Sequence, residues 1–230
     1  MKLHEGVEVI SISPAGLWAF DKPAGVLSHP NGMGDIDQSL IEAPYDFDEE
    51  AFVTEEGLFY LLHRLDGPTS GVILGTPHAA LARDIKELLR ARKVKKTYLA
   101  VVAGHPKKDR EMWIDKLQKT KTKDGRGVRG EAVGGGAPAE TQMYLMRKFG
   151  KPTPSSLLEL HPLTGRTHQL RIQCARRGMP IIGDGTYGDF QMNRALKAKR
   201  LLLHAQKIEI PALNYYAECE VPKEFTSWGK

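Results

Sequence analysis

The chain has only two cysteines in 230 residues, Cys174 and Cys219, with no CxxC pair and no histidine at zinc-site spacing beside them. A disulfide framework and a zinc module are thereby excluded, and a reducing compartment fits. No run of about 18 apolar residues is long enough to cross a bilayer as a helix. The first twenty residues carry Glu5 and Glu8 and lack the apolar core of a signal peptide. The sequence therefore reads as a soluble, unexported, cytoplasmic protein with no membrane partner. Its eight histidines show no HExxH or similar spacing, so no metal is expected, and there is no P-loop. A GxSxG nucleophile elbow is missing too, since "GPTSG" places its serine one residue late.

What is present is enough apolar material for a sizeable core, 41% of residues, and a basic excess of 33 Lys and Arg over 28 Asp and Glu. Two readings of that excess stand side by side: a patch for a polyanion, nucleic acid first, and a solvated face that keeps the chain in solution.

"VEVISI" (7–12) and "GLWAFD" (16–21) flank Ser13 and Pro14 as a hairpin. "LFYLL", "GVILG", "VKKTYLAVVAG", "AETQMYLMRK", "SSLLELHP", "LLLHAQKIEI" and "YYAECEV" read as further strands, whereas 39–57 reads as irregular or short helix. Thr76 as N-cap, Pro77 at the first helical position and Ala80, Leu81, Ile85, Leu88 and Leu89 behind them predict a helix. "RTHQLRIQCARRG" predicts a second, ending at Gly178. Residues 118–138 are basic, Gly-rich and almost free of apolar side chains, which predicts a mobile loop. Strands outnumber helices without alternating with them, so the expected class is α+β, a mixed, largely antiparallel sheet with flanking helices in a single domain over 1–230.

Two GxGxxG matches invite a dinucleotide site. Gly125, Gly127 and Gly130 have no strand before them and no helix after, and Gly183, Gly185 and Gly188 follow only a short run beginning at Pro180. Neither context supports a cofactor. "LLHRLDGPTSGVIL" (61–74) is odder, because apolar runs deliver His63, Arg64 and Asp66 to one loop. Asp66 is read either as a turn former before Gly67 or as a reagent. In "LHPLTGRTHQLRIQCARR" (160–177), Arg166 falls at or just before a helix N-terminus, where a cation is disfavoured unless an acceptor is near. That acceptor is a protein carboxylate or a ligand phosphate; the alternative is a basic solvated face running through His168, Arg171, Arg176 and Arg177. Tyr98, in the alternating strand "KKTYLAVV", is a core-edge tyrosine or a platform for a base.

Together these segments resemble the RluA-type pseudouridine synthases. "HRLDGPTSG" fits the family's HRLDxxTSG signature, and "KPAGVLSHP", "KKTYLAVVAG", "LHPLTGRTHQLRIQ", "GMPIIGDGTYG" and "LLLHA" keep the family's order over about residues 17–222. The resemblance implies isomerisation of uridine in ribosomal or transfer RNA, by a monomer, without cofactor or metal. It makes Asp66 the catalytic carboxylate, as nucleophile or as base, with Tyr98 stacked on the uracil and Arg166 paired with Asp66. Arg64 would fill the gap left by the flipped nucleotide. Leu65, Leu170 and Ile172 are candidate pocket walls, and basic side chains of 116–129 and 171–177, Arg171 among them, would hold phosphates. No S4-like RNA-binding extension is expected before the catalytic domain.

Overall fold

The computed structural model describes residues 1–121, 128–132 and 135–229. Its chain forms two compact units, Met1–Val94 with Ala205–Glu220, and Lys95–His204 with Val221–Lys230.

In the first unit β1 (Glu8–Ile12) and β2 (Trp18–Lys22) form the expected antiparallel hairpin, and β2 pairs along β6 (Ser70–Thr76). β3 (Tyr45–Asp46), β4 (Ala51–Thr54) and β5 (Gly57–Leu61) follow one another in antiparallel register onto β6. Residues 39–57 thus hold β3, β4 and the first residue of β5 joined by turns and bends: the irregular reading fits most of the segment, and the short-helix alternative is replaced by strands. The acidic run is the turn between β3 and β4, where the Asp46 carboxylate accepts from the Asp48 and Glu49 amides, and Ala51 and Phe52 go into the core.

β6 is buried at all seven positions, which is why its sequence is a continuous apolar run rather than an alternation. Its Gly71 has φ +115°, and a Cβ there would lie 2.2 Å from the Ala205 carbonyl oxygen. Ala205 belongs to β12 (Leu203–Ile210), which pairs with β13 (Tyr215–Glu218). The helix α1 (Ala79–Arg90) buries Ala82 and Ile85. It starts later than the sequence predicts, with His78 as N-cap. Thr76 is still paired in β6, its hydroxyl donating to the Gly16 carbonyl at 2.8 Å, so sheet pairing wins over capping.

The second unit is built on β7 (Lys95–Ala103), β8 (Arg110–Lys121), β9 (Val128–Ala132), β10 (Ala137–Phe149) and β11 (Ser155–Pro162), in the spatial order β7-β11-β10-β8-β9. The helices α2 (Gln169–Arg176), α3 (Phe190–Ala195) and α4 (Lys223–Thr226) accompany them. Trp113, Met143, Leu158, Leu160 and Phe225 are central to its core.

The expected loop at 118–138 is corrected. Its described residues end β8, form β9 and open β10, and the main chains pair from Leu117 with Ala132 to Lys121 with Val128. Ladder hydrogen bonds order this stretch without apolar side chains. Residues 122–127 and 133–134 of that expectation lie outside the described residues. The class is α+β with a mixed, mostly antiparallel sheet, as the sequence predicts.

Candidate active site

Asp66 sits half-buried on a tight turn whose Thr69 amide donates to the Asp66 carbonyl at 2.9 Å. The preceding segment 22–30 clamps that turn. The Lys22 ammonium, fully buried at the end of β2, donates to the carbonyls of Pro23, Val26 and Gly67, and the Gly25 amide donates to Gly67 as well. A buried ammonium is tolerated only when its donors are used, and here three carbonyls use them. The Ser28 hydroxyl accepts from the Leu65 amide at 2.9 Å and donates to the Leu65 carbonyl at 2.8 Å. His63 accepts the Leu74 amide at 3.1 Å, so it serves the backbone. Leu65 points inward at 6% exposure, while Arg64 is exposed and donates to His29 Nε2 at 2.9 Å. The turn thus presents Arg64 and Asp66 and buries the residue between them.

Tyr98 and Arg166 belong to the second unit. Tyr98 lies half-buried in β7 opposite Leu160, at the edge of the core. Lys96 shares its strand face. Burial holds the Lys96 ammonium below the usual lysine range, and its Nζ lies 3.8 Å from where a Cβ of Gly165 would be. No local pattern singles out Lys96 as a site residue; its nearness to the Gly165–Arg166 turn appears only in three dimensions.

Arg166 is exposed, its Nε donating to the Pro138 carbonyl at 3.0 Å. α2 begins three residues later than Arg166, because the turn before it is fixed by buried side chains and by His168 at φ +54°. Gln169 Oε1 accepts from the Thr164 hydroxyl at 2.7 Å and from the Arg166 amide at 3.1 Å. Its Nε2 donates to the Glu140 carbonyl and to Thr141, whose hydroxyl donates to Gln173 at 2.6 Å. Such a satisfied buried network fixes one backbone pose for Arg166.

The basic helix face is corrected at Arg171. Arg171 is 4% exposed and forms a bidentate pair with Asp184 at 2.8 Å through both Nε and Nη2, so it is not placed to meet phosphates. Burial would raise the Asp184 carboxyl, but the Arg171 guanidinium and the Thr186 and Tyr187 amides outweigh it and hold it below the usual carboxylate range. Leu170 joins the main core of the unit, and Ile172 packs with Leu117 and Ala139. Arg177 and Arg176 both reach Asp115, at 2.9 and 3.2 Å.

The "GDGTYG" loop has no room for a dinucleotide. A Cβ on Gly183, at φ +79°, would fall 1.8 Å from the Arg200 carbonyl oxygen, so the glycine serves a chain crossing. The loop amides that a phosphate would want already donate to Asp184. Among the described residues no group of three or more His, Cys, Asp or Glu is arranged to hold a metal, and no helix is long and apolar enough to cross a membrane.

Known proteins share these segments. The profile of the RNA pseudouridylate synthase family matches residues 16–176. A Helicobacter pylori protein named as an uncharacterized RNA pseudouridine synthase is 30% identical over 241 aligned positions, covering 100% of this chain and 78% of its own length. The dual-specificity RNA pseudouridine synthase RluA of Yersinia pestis is 35% identical, with 82% of this chain and 84% of that protein covered. The chain spans only 56 to 58% of several other relatives named as ribosomal large subunit pseudouridine synthases. Among solved structures, human RNA pseudouridylate synthase domain containing 1 is similar at TM-score 0.73 and 27% identity, over 96% of this chain and 84% of that one. The chain belongs to the RluA-type RNA pseudouridine synthases, a family of isomerases that act on RNA.

Proposed function

We propose that this chain converts uridine in ribosomal or transfer RNA to pseudouridine, as a cytoplasmic monomer whose two units act as one catalytic domain. The N1–C1′ bond breaks, the uracil turns in place, C5 bonds to C1′, the C5 hydrogen leaves as a proton and N1 takes up a proton, so that the product is an isomer of uridine. Asp66 either attacks the sugar or the uracil as a nucleophile or removes a C2′ proton on the way to a glycal. Arg166 pairs with Asp66 and keeps it ionised, Tyr98 stacks on the uracil, and Leu65 backs the pocket. Extruding the base costs a few kcal/mol, and Arg64 fills the space it leaves. Leu170, Arg171 and Ile172 are reassigned from substrate contact to the scaffold that aims Arg166. The chemistry moves protons and one glycosidic bond, so it requires no redox group and no metal.

The observation that supports this reading best is the clamp on the Asp66 turn: buried Lys22 and Ser28, with the main-chain amide of exposed Gly25, are spent on two residues that flank one carboxylate. A plain connecting turn would need none of them. The test is tritium release from [5-³H]uridine-labelled RNA made in cells lacking the protein. Wild type releases tritium, and Asp66→Asn slows release by about 10²–10⁴-fold, the scale of one acid–base group. Equal rates for the two proteins, or no release by wild type from any such RNA, contradict the reading.

A further inference from the structure

Arg64 is exposed, yet its guanidinium is not left to solvent. Nη1 donates to His29 Nε2 at 2.9 Å, and the other ring nitrogen, Nδ1, lies 2.9 Å from the Pro30 carbonyl oxygen. A carbonyl only accepts and a guanidinium only donates, so the two contacts fix one tautomer: Nδ1 carries the proton and Nε2 offers its lone pair. The ring is also fixed in plane, stacked on Tyr45 with centroids 4.9 Å apart and 16° between planes. Tyr45 is wedged in turn against Phe52 and Phe47, each at 5.1 Å. Phe47 is 55% exposed, so this aromatic row runs from the core to the surface beside Arg64.

We propose that His29 is the positioning residue for Arg64: as a neutral imidazole it holds the guanidinium in the pose that meets RNA, and protonation of His29 releases it. The proposal rests on the reading of Arg64 as an RNA-facing residue given above. Protonated, Nε2 would turn a hydrogen towards the arginine and set two cations within hydrogen-bond distance. The groups facing the ring are Arg64 from the Asp66 turn, Tyr45 from β3, Glu50 from the turn after it and the Pro30 carbonyl. Burial pulls the His29 imidazole below the usual histidine range and Arg64 pulls with it, against the Pro30 carbonyl and Glu50. The neutral, Arg64-holding form therefore prevails at neutral pH and is lost on acidification.

Two measurements test the pair and its consequence. In ¹⁵N spectra of the imidazoles, wild-type His29 is the Nδ1–H tautomer near neutrality, and Arg64→Ala moves its titration to higher pH. An Nε2–H tautomer, or a titration indifferent to Arg64→Ala, overturns the proposal. Filter retention of the same [5-³H]uridine RNA then reads binding and tritium release reads chemistry. His29→Phe keeps the stack on Tyr45 but removes the acceptor, and weakens retention by about tenfold, the worth of one hydrogen bond to a charged group. His29→Gln offers an acceptor that cannot titrate; it restores most of the retention and abolishes its fall on the acid side. His29→Phe with Arg64→Ala is no weaker than Arg64→Ala alone. Wild-type retention by His29→Phe, additive losses in the double variant, or an unchanged acid limb in His29→Gln overturns the proposal. Should His29→Phe fail to fold, the spectra and the His29→Gln acid limb decide. RNA retained by wild type with no tritium released contradicts the isomerase reading instead, while retention by the variants still decides the role of His29.

Discussion

Ser28 and Leu65 exchange two hydrogen bonds through one hydroxyl: Leu65 N–H donates to Ser28 Oγ at 2.9 Å, and the hydroxyl donates to the Leu65 carbonyl at 2.8 Å. Both residues are buried, and Leu65 is the neighbour of Asp66. In Ser28→Ala two buried main-chain groups lose their partner at once. The expected cost is about 1–3 kcal/mol in urea unfolding at neutral pH. Tritium release should fall more than RNA retention does, since the turn that aims Asp66 loosens while the basic surface is unchanged. An unaltered unfolding midpoint together with an unaltered rate would contradict the clamp.

Arg171 and Asp184 form a second structural unit, buried and bidentate at 2.8 Å. Asp184→Asn leaves the guanidinium buried without its counter-charge and should cost about 3–5 kcal/mol, whereas Arg171→Met with Asp184→Leu recovers much of that loss. The pH dependence has a definite sign. The folded carboxyl lies below its ordinary value, so its contribution is fully present above the unfolded pKa and is lost as pH falls through the folded one. Urea unfolding of wild type should weaken on acidification across that window, and Asp184→Asn should weaken less.

Much of this could be read from the sequence, for identifiable reasons. The β1–β2 hairpin was legible because Ser13 and Pro14 separate two β-type runs, and β7 because Thr97, Val101 and Val102 make it rich in β-branched residues. β8 was not, since Met112 and Ile114 are exposed on one face while Trp113 and Leu117 are buried on the other, which erases the period. The buried polar network before α2 was not legible for a related reason. Thr141, Thr164, Gln169 and Gln173 look like surface residues one at a time, and only their mutual hydrogen bonds make them interior. Asp66, Tyr98 and Arg166 stood out through family resemblance, but Ser28, His29 and Lys96 act through neighbours 35 to 69 positions away in sequence, which no local pattern records.

Gly71 is the last residue of "HRLDGPTSG", and its requirement is physical. A side chain there meets both a strained φ of +115° and the Ala205 carbonyl oxygen at 2.2 Å. Gly71→Ala should destabilise by about 3 kcal/mol or more, through strain and steric displacement together. Thermal unfolding of the variant reads this directly; a midpoint within a degree or so of wild type would refute the close approach of β6 and β12.

Lys96 offers a trade between stability and binding. Its ammonium is held below the usual range by burial, so the charged form opposes folding at neutral pH, and stability should rise as pH climbs from the folded pKa towards the unfolded one. Lys96→Met should therefore raise the urea midpoint at pH 7 while weakening RNA retention and flattening its salt dependence by about one unit of slope. A destabilised variant with wild-type retention would make Lys96 a packing residue only.

Asp66 is the group proposed to act on uridine, and mapping pseudouridine in RNA tests that role most directly. RNA would be compared from cells lacking the protein, complemented with wild type or with Asp66→Asn at matched levels. At least one pseudouridine should disappear in the deletion, return with wild type and stay absent with Asp66→Asn. A full set of pseudouridines in the deletion, or complete restoration by Asp66→Asn, would contradict it.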